Sequence, residues 1–141
     1  MKCFAIGYQG RSLTGMCELL ADEGVDLLID IRERAWSNRP EFRKTAIATA
    51  VAAHGIEYIH IREAGNPFRP RAGEVIDTLD CMRRYRGYLR ATPSVVENMK
   101  VLIGRRRSAL LCYEAISSDC HRGVLIAALK RISPQVVVKH L

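Results

Sequence analysis

Val25-Asp26-Leu27-Leu28-Ile29-Asp30-Ile31 is an apolar run of strand length, with Gly24 in front of it and Arg32 behind it. It is continuously apolar rather than alternating, so it reads as a strand buried on both faces, the habit of a parallel sheet covered by helices. Four more stretches share that character: Cys3 to Gly7, Ile56 to Ile61, Ser108 to Tyr113, and the valine-rich Gln135 to His140 behind Pro134. Helical patterns lie between them. Ser12 or Thr14 can cap a helix running to about Glu23, with Leu13, Met16, Cys17 and Leu20 on one face and Gly24 as its stop. Pro40 fits the first turn of a helix that continues through an alanine-rich stretch to His54 and ends at Gly55. Glu74 to about Leu89 looks helical, and Thr92-Pro93 or Ser94 opens another helix to about Ile103. Ser118 or Asp119 caps a last helix from Cys120 to about Arg131. Strands alternating with helices under right-handed crossovers predict an α/β fold. The expected form is a three-layer Rossmann-like sandwich of about five mainly parallel strands, helices on both faces and the first strand central.

The 141 residues suit one domain spanning 1–141. Apolar residues at 48% and charged residues at 26% exclude disorder, collagen and coiled coil as whole-chain readings. No apolar run is long enough for a membrane span, and the apolar stretch behind Met1 is too short for a secretory signal. A cytoplasmic protein with no membrane partner is expected.

Charge is unevenly spread. From Cys81 to Arg107, eight cations (Arg83, Arg84, Arg86, Arg90, Lys100, Arg105, Arg106, Arg107) stand against Glu97, which accounts for the whole net charge of +7. Clustered arginine suits phosphate, because its planar fork donates in pairs; a solvated helix face is the plainer reading. The five cysteines are odd in number and form no C-x-x-C, so a disulfide framework is not expected. Cys112, Cys120 and His121 match no common zinc spacing, so neither metal nor cofactor is expected.

Ligands of open parallel sheets bind beyond the carboxyl ends of the strands. Here those ends read Gly7-Tyr8-Gln9-Gly10-Arg11, Asp30-Ile31-Arg32, His60-Ile61-Arg62, Cys112-Tyr113-Glu114 and Lys139-His140. The opposite rim receives Gly24, Gly55 and Pro134. The Gly7–Arg11 loop can cradle an anion with backbone N–H groups or be a plain tight turn; it is neither a dinucleotide fingerprint nor a P-loop. Asp30 and Arg32 share a strand face, fit for an ion pair or a common ligand. Cys120, His121 and Arg122 open a helix. The dipole there favours a thiolate and a neutral imidazole, and it opposes Arg122 unless an anion or a carboxylate such as Glu114 or Asp119 answers it. Cys112 can be a core residue or a persulfide-type nucleophile. The tyrosine-phosphatase spacing of Cys and Arg is absent, since nine residues separate Cys112 from Arg122.

Four blocks come in one order over nearly the whole chain: Ile6-Gly7-Tyr8-Gln9-Gly10-Arg11-Ser12; Leu28-Ile29-Asp30-Ile31-Arg32 with Ser37, Arg39, Pro40 and Phe42; Gly55-Ile56-Glu57-Tyr58-Ile59-His60; and Ala109-Leu110-Leu111-Cys112-Tyr113-Glu114 with Cys120-His121-Arg122. This arrangement resembles the DUF488 family, domains of unknown function. The resemblance implies a compact α/β fold and no settled activity; Glu63-Ala64-Gly65-Asn66 stands where its pattern has a Leu-Gly pair.

The leading expectation is a protein that binds or acts on a phosphate-bearing substrate, a nucleotide or nucleic acid, at the carboxyl edge of the sheet. Asp30, Glu114, Cys120 and His121 are the candidate catalytic residues. Gly7, Tyr8, Gln9, Arg11, Arg32, Ser37, Arg39, His60, Cys112 and Arg122 are the candidate substrate contacts. Two alternatives stand beside it: a non-catalytic nucleic-acid-binding module using the basic 81–107 segment, and sulfur or redox chemistry at Cys112 or Cys120.

Overall fold

The computed structural model describes residues 1–69, 77–116 and 120–141. Within them the strands are β1 (Lys2–Gly7), β2 (Leu27–Asp30), β3 (Glu57–His60), β4 (Ser108–Cys112) and β5 (Val137–His140). The helices are α1 (Leu13–Asp22), α2 (Lys44–Ala52), α3 (Thr78–Ala91), α4 (Pro93–Arg105) and α5 (His121–Ile132). All pairings are parallel and the order is β3-β2-β4-β1-β5. The expected three-layer α/β sandwich is therefore present. Its centre is β4 rather than the first strand; β1 lies inside the sheet between β4 and β5. Burial explains the order. Every residue of β4 is buried, whereas β3 and β5 carry Glu57, His60, Lys139 and His140 and are largely half-buried or exposed. Charged strands suit the edges, where they also discourage further pairing.

The strand alternation divides the core in two. Phe4, Ile6, Leu28 and Leu111 pack with Met16 and Leu20 of α1 and Ile47 and Val51 of α2. Cys3, Ala5, Ile29, Leu110 and Cys112 pack with residues of α3, α4 and α5. Because α1 leaves β1 on one face and α5 leaves β4 on the other, the carboxyl ends of these two neighbouring strands flank the switch point of the sheet.

Two expected helix starts move. The stretch from Pro40 is a single 3₁₀ turn, Pro40–Phe42; the extended backbone at Arg43 (φ −78°, ψ 155°) separates it from α2. The last helix is capped by Cys120, whose sulfur accepts the Arg122 N–H at 3.4 Å. Ser118, Asp119 and Glu74 lie outside the described residues. Gly7 has a packing reason: a Cβ there would sit 1.7 Å from the Glu114 carbonyl oxygen, so the β1 and β4 ends approach this closely only at glycine.

Candidate functional site

Cys112 ends β4 on the face that α5 covers, and Cys120 sits directly before α5. Their sulfurs consequently meet beneath the helix start, 2.6 Å apart, both buried and unlinked. Around this pair the side chains are closely fixed. Arg122, 1% exposed, donates from Nη1 to Cys112 Sγ at 2.9 Å and from Nη2 to the Ala115 carbonyl at 3.5 Å. His121 Nε2 faces the Ile31 carbonyl at 2.7 Å, and Nδ1 faces Cys120 Sγ at 3.5 Å. A carbonyl only accepts, so Nε2 carries a ring proton, and Nδ1 is turned to the thiol. The Tyr85 ring meets His121 edge-on at 5.2 Å, and its hydroxyl donates to the Ala64 carbonyl at 2.6 Å. Glu114 completes the group. One carboxylate oxygen lies within 4.8 Å of both sulfurs, Oε1 accepts from Arg69 at 3.3 Å, and Oε2 is buried with no hydrogen-bond partner among the described residues.

The hydrogen bond to Cys112 and burial push the Cys120 thiol up, with His121 pulling the other way. The helix start alone predicts a thiolate at Cys120; the neighbouring sulfur and the loss of solvent work against the dipole. Two thiols and a carboxylate are also a metal donor set. Thiolates sharing a tetrahedral zinc sit roughly 3.8 Å apart at Zn–S distances of ~2.3 Å, and here the sulfurs are closer while a permanent cation touches one of them. The arrangement suits a sulfur pair better than a divalent ion.

Asp30 and Arg32 form a second, separate node. Asp30 is fully buried and its carboxylate is saturated: Oδ1 accepts from the Arg32 N–H at 3.1 Å and Nε at 2.9 Å, and Oδ2 accepts from Nη2 at 2.7 Å and the Tyr58 hydroxyl at 2.5 Å. Arg32 Nη1 donates to the Phe42 carbonyl at 2.7 Å, and His60 Nε2 lies 2.6 Å from the Arg32 carbonyl. Burial pushes the Tyr58 phenol up, and the Asp30 charge adds to it. By strand alternation this node shares the face of Leu28, opposite the thiols; the Ile31 carbonyl on His121 links the two, as does Tyr8, whose ring lies against Arg32 and whose amide donates to the Cys112 carbonyl. The candidate catalytic residues thus divide: Glu114, Cys120 and His121 converge, and Asp30 is closed off in an ion pair.

The remaining candidates serve the rim. Tyr8 and Gln9 donate their amides to the Cys112 and Tyr113 carbonyls at 3.2 and 2.8 Å, and the Arg11 amide donates to the Tyr8 carbonyl, so these N–H groups are taken up by the strand ends. Gln9 Oε1 accepts from the Ala115 amide, Arg11 Nε donates to the Gly7 carbonyl, and Ser37 Oγ accepts from the Arg39 amide. Arg39 pairs with Glu41 and donates to the Arg11 carbonyl. The basic segment is split. Arg83 and Arg84 pair with Asp80 on α3, whereas Arg106 pairs with Glu57 and Arg107 donates to the Glu23 carbonyl at the amino-terminal rim, away from the thiols.

Sequence reasoning missed Tyr58, Tyr85 and Arg69. Tyr85 had a signal: with Leu89 it forms an i, i+4 apolar pair on a helix otherwise crowded with arginine. Tyr58 and Arg69 had none, because their partners are set by strand register and loop path.

No helix among the described residues is long and apolar enough to cross a membrane. No curated protein and no solved structure matches the chain. One family model does, that of the domain of unknown function DUF488, over residues 12–129. The matched span takes in the second, third and fourth sequence blocks, and the chain belongs to the DUF488 family.

Proposed function

We propose that the protein carries out thiol–disulfide exchange with Cys112 and Cys120 as its redox pair. The carrying observation is the contact of the two buried sulfurs, 2.6 Å apart, within easy reach of the ~2.05 Å of a disulfide bond. The side chains around them match the needs of the exchange. His121 Nδ1 accepts the Cys120 proton as Cys120 Sγ attacks one sulfur of a disulfide RS–SR′. A Cys120–SR bond forms, the S–S bond of the substrate breaks, and R′S⁻ leaves with the proton from His121. Glu114 then takes the Cys112 proton, and Cys112 attacks Cys120 Sγ. The internal disulfide forms and RS⁻ leaves with that proton. Two electrons pass from the protein to the substrate, and one disulfide yields two thiols. Arg122 holds negative charge on Cys112 Sγ, and Oε2 of Glu114, which has no hydrogen-bond partner among the described residues, has a use as the acceptor for the second proton.

Phosphate binding draws on Arg32, Arg39 and Arg122, and two of these are buried on Asp30 and on Cys112. Sulfur chemistry leaves those contacts in place and is favoured for that reason.

Mass spectrometry of the protein after incubation with bis-hydroxyethyl disulfide tests the proposal. The wild type forms an internal Cys112–Cys120 disulfide and releases two thiols. Cys112→Ser stops at a mixed disulfide on Cys120, and Cys120→Ser stays unmodified at Cys112. Modification of the half-exposed Cys81 alone, with Cys112 and Cys120 still reduced, overturns it.

A further inference from the structure

Between α3, the start and middle of α5, and the end of β5 lies a groove of about 510 Å³, within the range of small-molecule sites. Its lining includes Met82, Arg86, Cys120, Lys130 and His140. Three features restrict what it can take. Cys120 lines the groove though it is only 2% exposed, so a disulfide approaches it from within the groove, which suits a small molecule better than a disulfide held in a folded partner protein. The apolar part, Met82 with Val124 and Ala127, suits the carbon and sulfur of a small disulfide. Among the described residues the charged lining is of one sign: Arg86 and Lys130 line the groove and no Asp or Glu does. Partial burial pushes the His140 imidazole down, and the charges of Arg122 and Lys130 add to this.

We infer that this groove admits a small disulfide carrying carboxylates, with Arg86 and Lys130 receiving the acidic groups while the S–S bond reaches Cys120. The inference rests on the exchange chemistry proposed above and names its substrate class. The reaction is the same one: the anionic disulfide accepts two electrons and leaves as two anionic thiols, and the protein keeps the Cys112–Cys120 bond.

Three disulfides of similar size separate the possibilities: dithiodiglycolate with two carboxylates, uncharged bis-hydroxyethyl disulfide, and cystamine with two ammonium groups. Stopped-flow rates of Cys112–Cys120 oxidation are each divided by the rate of free dithiothreitol with the same reagent, which removes intrinsic reactivity. At low salt the dianion exceeds the neutral reagent by about tenfold or more, and cystamine is slowest, as steering by local charge predicts. The preference shrinks as salt rises, and Arg86→Gln with Lys130→Gln brings the dianion-to-neutral ratio towards one. A wild-type ratio near one, with the neutral reagent still closing the pair, overturns the inference and leaves the exchange reading standing. A high ratio that survives in the double variant also overturns it. If none of the three reagents closes the pair, the exchange reading falls and the inference falls with it.

Discussion

At the residue scale, buried charge and buried sulfur behave in opposite ways. Asp30 and Arg32 are fixed partners whose separation is costly, because either one alone is an uncompensated charge in the core. Asp30→Ala should cost about 3–5 kcal/mol in urea denaturation, and Tyr58→Phe about 1.5–3 kcal/mol, the worth of a hydrogen bond to a charged group. Tyr58→Phe, being on the other face of the sheet, should keep closing the Cys112–Cys120 pair at the wild-type rate. The thiol site asks for kinetic variants instead. His121→Gln should slow the first attack by roughly 10²-fold or more, with a flattened pH profile. Glu114→Gln should leave the first attack and let the mixed disulfide on Cys120 accumulate; rapid-quench mass spectrometry distinguishes the two. The Asp30–Arg32 pair was legible from its i, i+2 spacing on a strand. The contact of Cys112 with Cys120 was not, because it depends on how a helix start settles over a strand end.

At the scale of elements, the closest constraint is the meeting of β1 and β4. Gly7→Ala puts a methyl where the Glu114 carbonyl already stands, so the strand ends must part. A loss of about 1–3 kcal/mol follows, as for other overpacked sites. It should appear as a lower urea midpoint with an unchanged denaturant slope, and thiol exchange should slow as Cys112 and Glu114 shift. Helices and strands were read well wherever apolar periodicity was strong, as in α1 with Ser12 as its cap. The break at Arg43 was hidden because the alanines beyond it speak only for helix. The order of the strands was hidden for a deeper reason: pairing joins residues far apart in sequence, and no local pattern says that β4 lies between β1 and β2.

For the molecule as a whole, several acids are buried in their neutral forms, and alkali is the condition that finds them. Burial pushes the Cys3 thiol up to about 12, only partly offset by its bond to the Phe4 carbonyl. Cys120 is raised by Cys112 and burial, and Tyr58 and Tyr85 are raised chiefly by burial. In the unfolded chain these groups ionise first, so above about pH 9 the unfolded state binds fewer protons and stability falls as pH rises. The urea midpoint should therefore drop between about pH 8 and about pH 11, and Cys3→Ala should lessen the drop. A midpoint that holds steady across that interval contradicts the burial of these groups. The sheet order carries one more consequence, for synthesis. Among the described residues β1 pairs only with β4 and β5, which follow it by roughly 100 residues or more. At ~5–20 residues per second a ribosome takes roughly 5–20 s to make that interval. Through all of it Phe4, Ala5 and Ile6 have no strand to join, while β2 and β3 can already pair with each other. The nascent chain is open to chaperones and to misassociation for that interval, and it closes only when the middle of its sheet emerges.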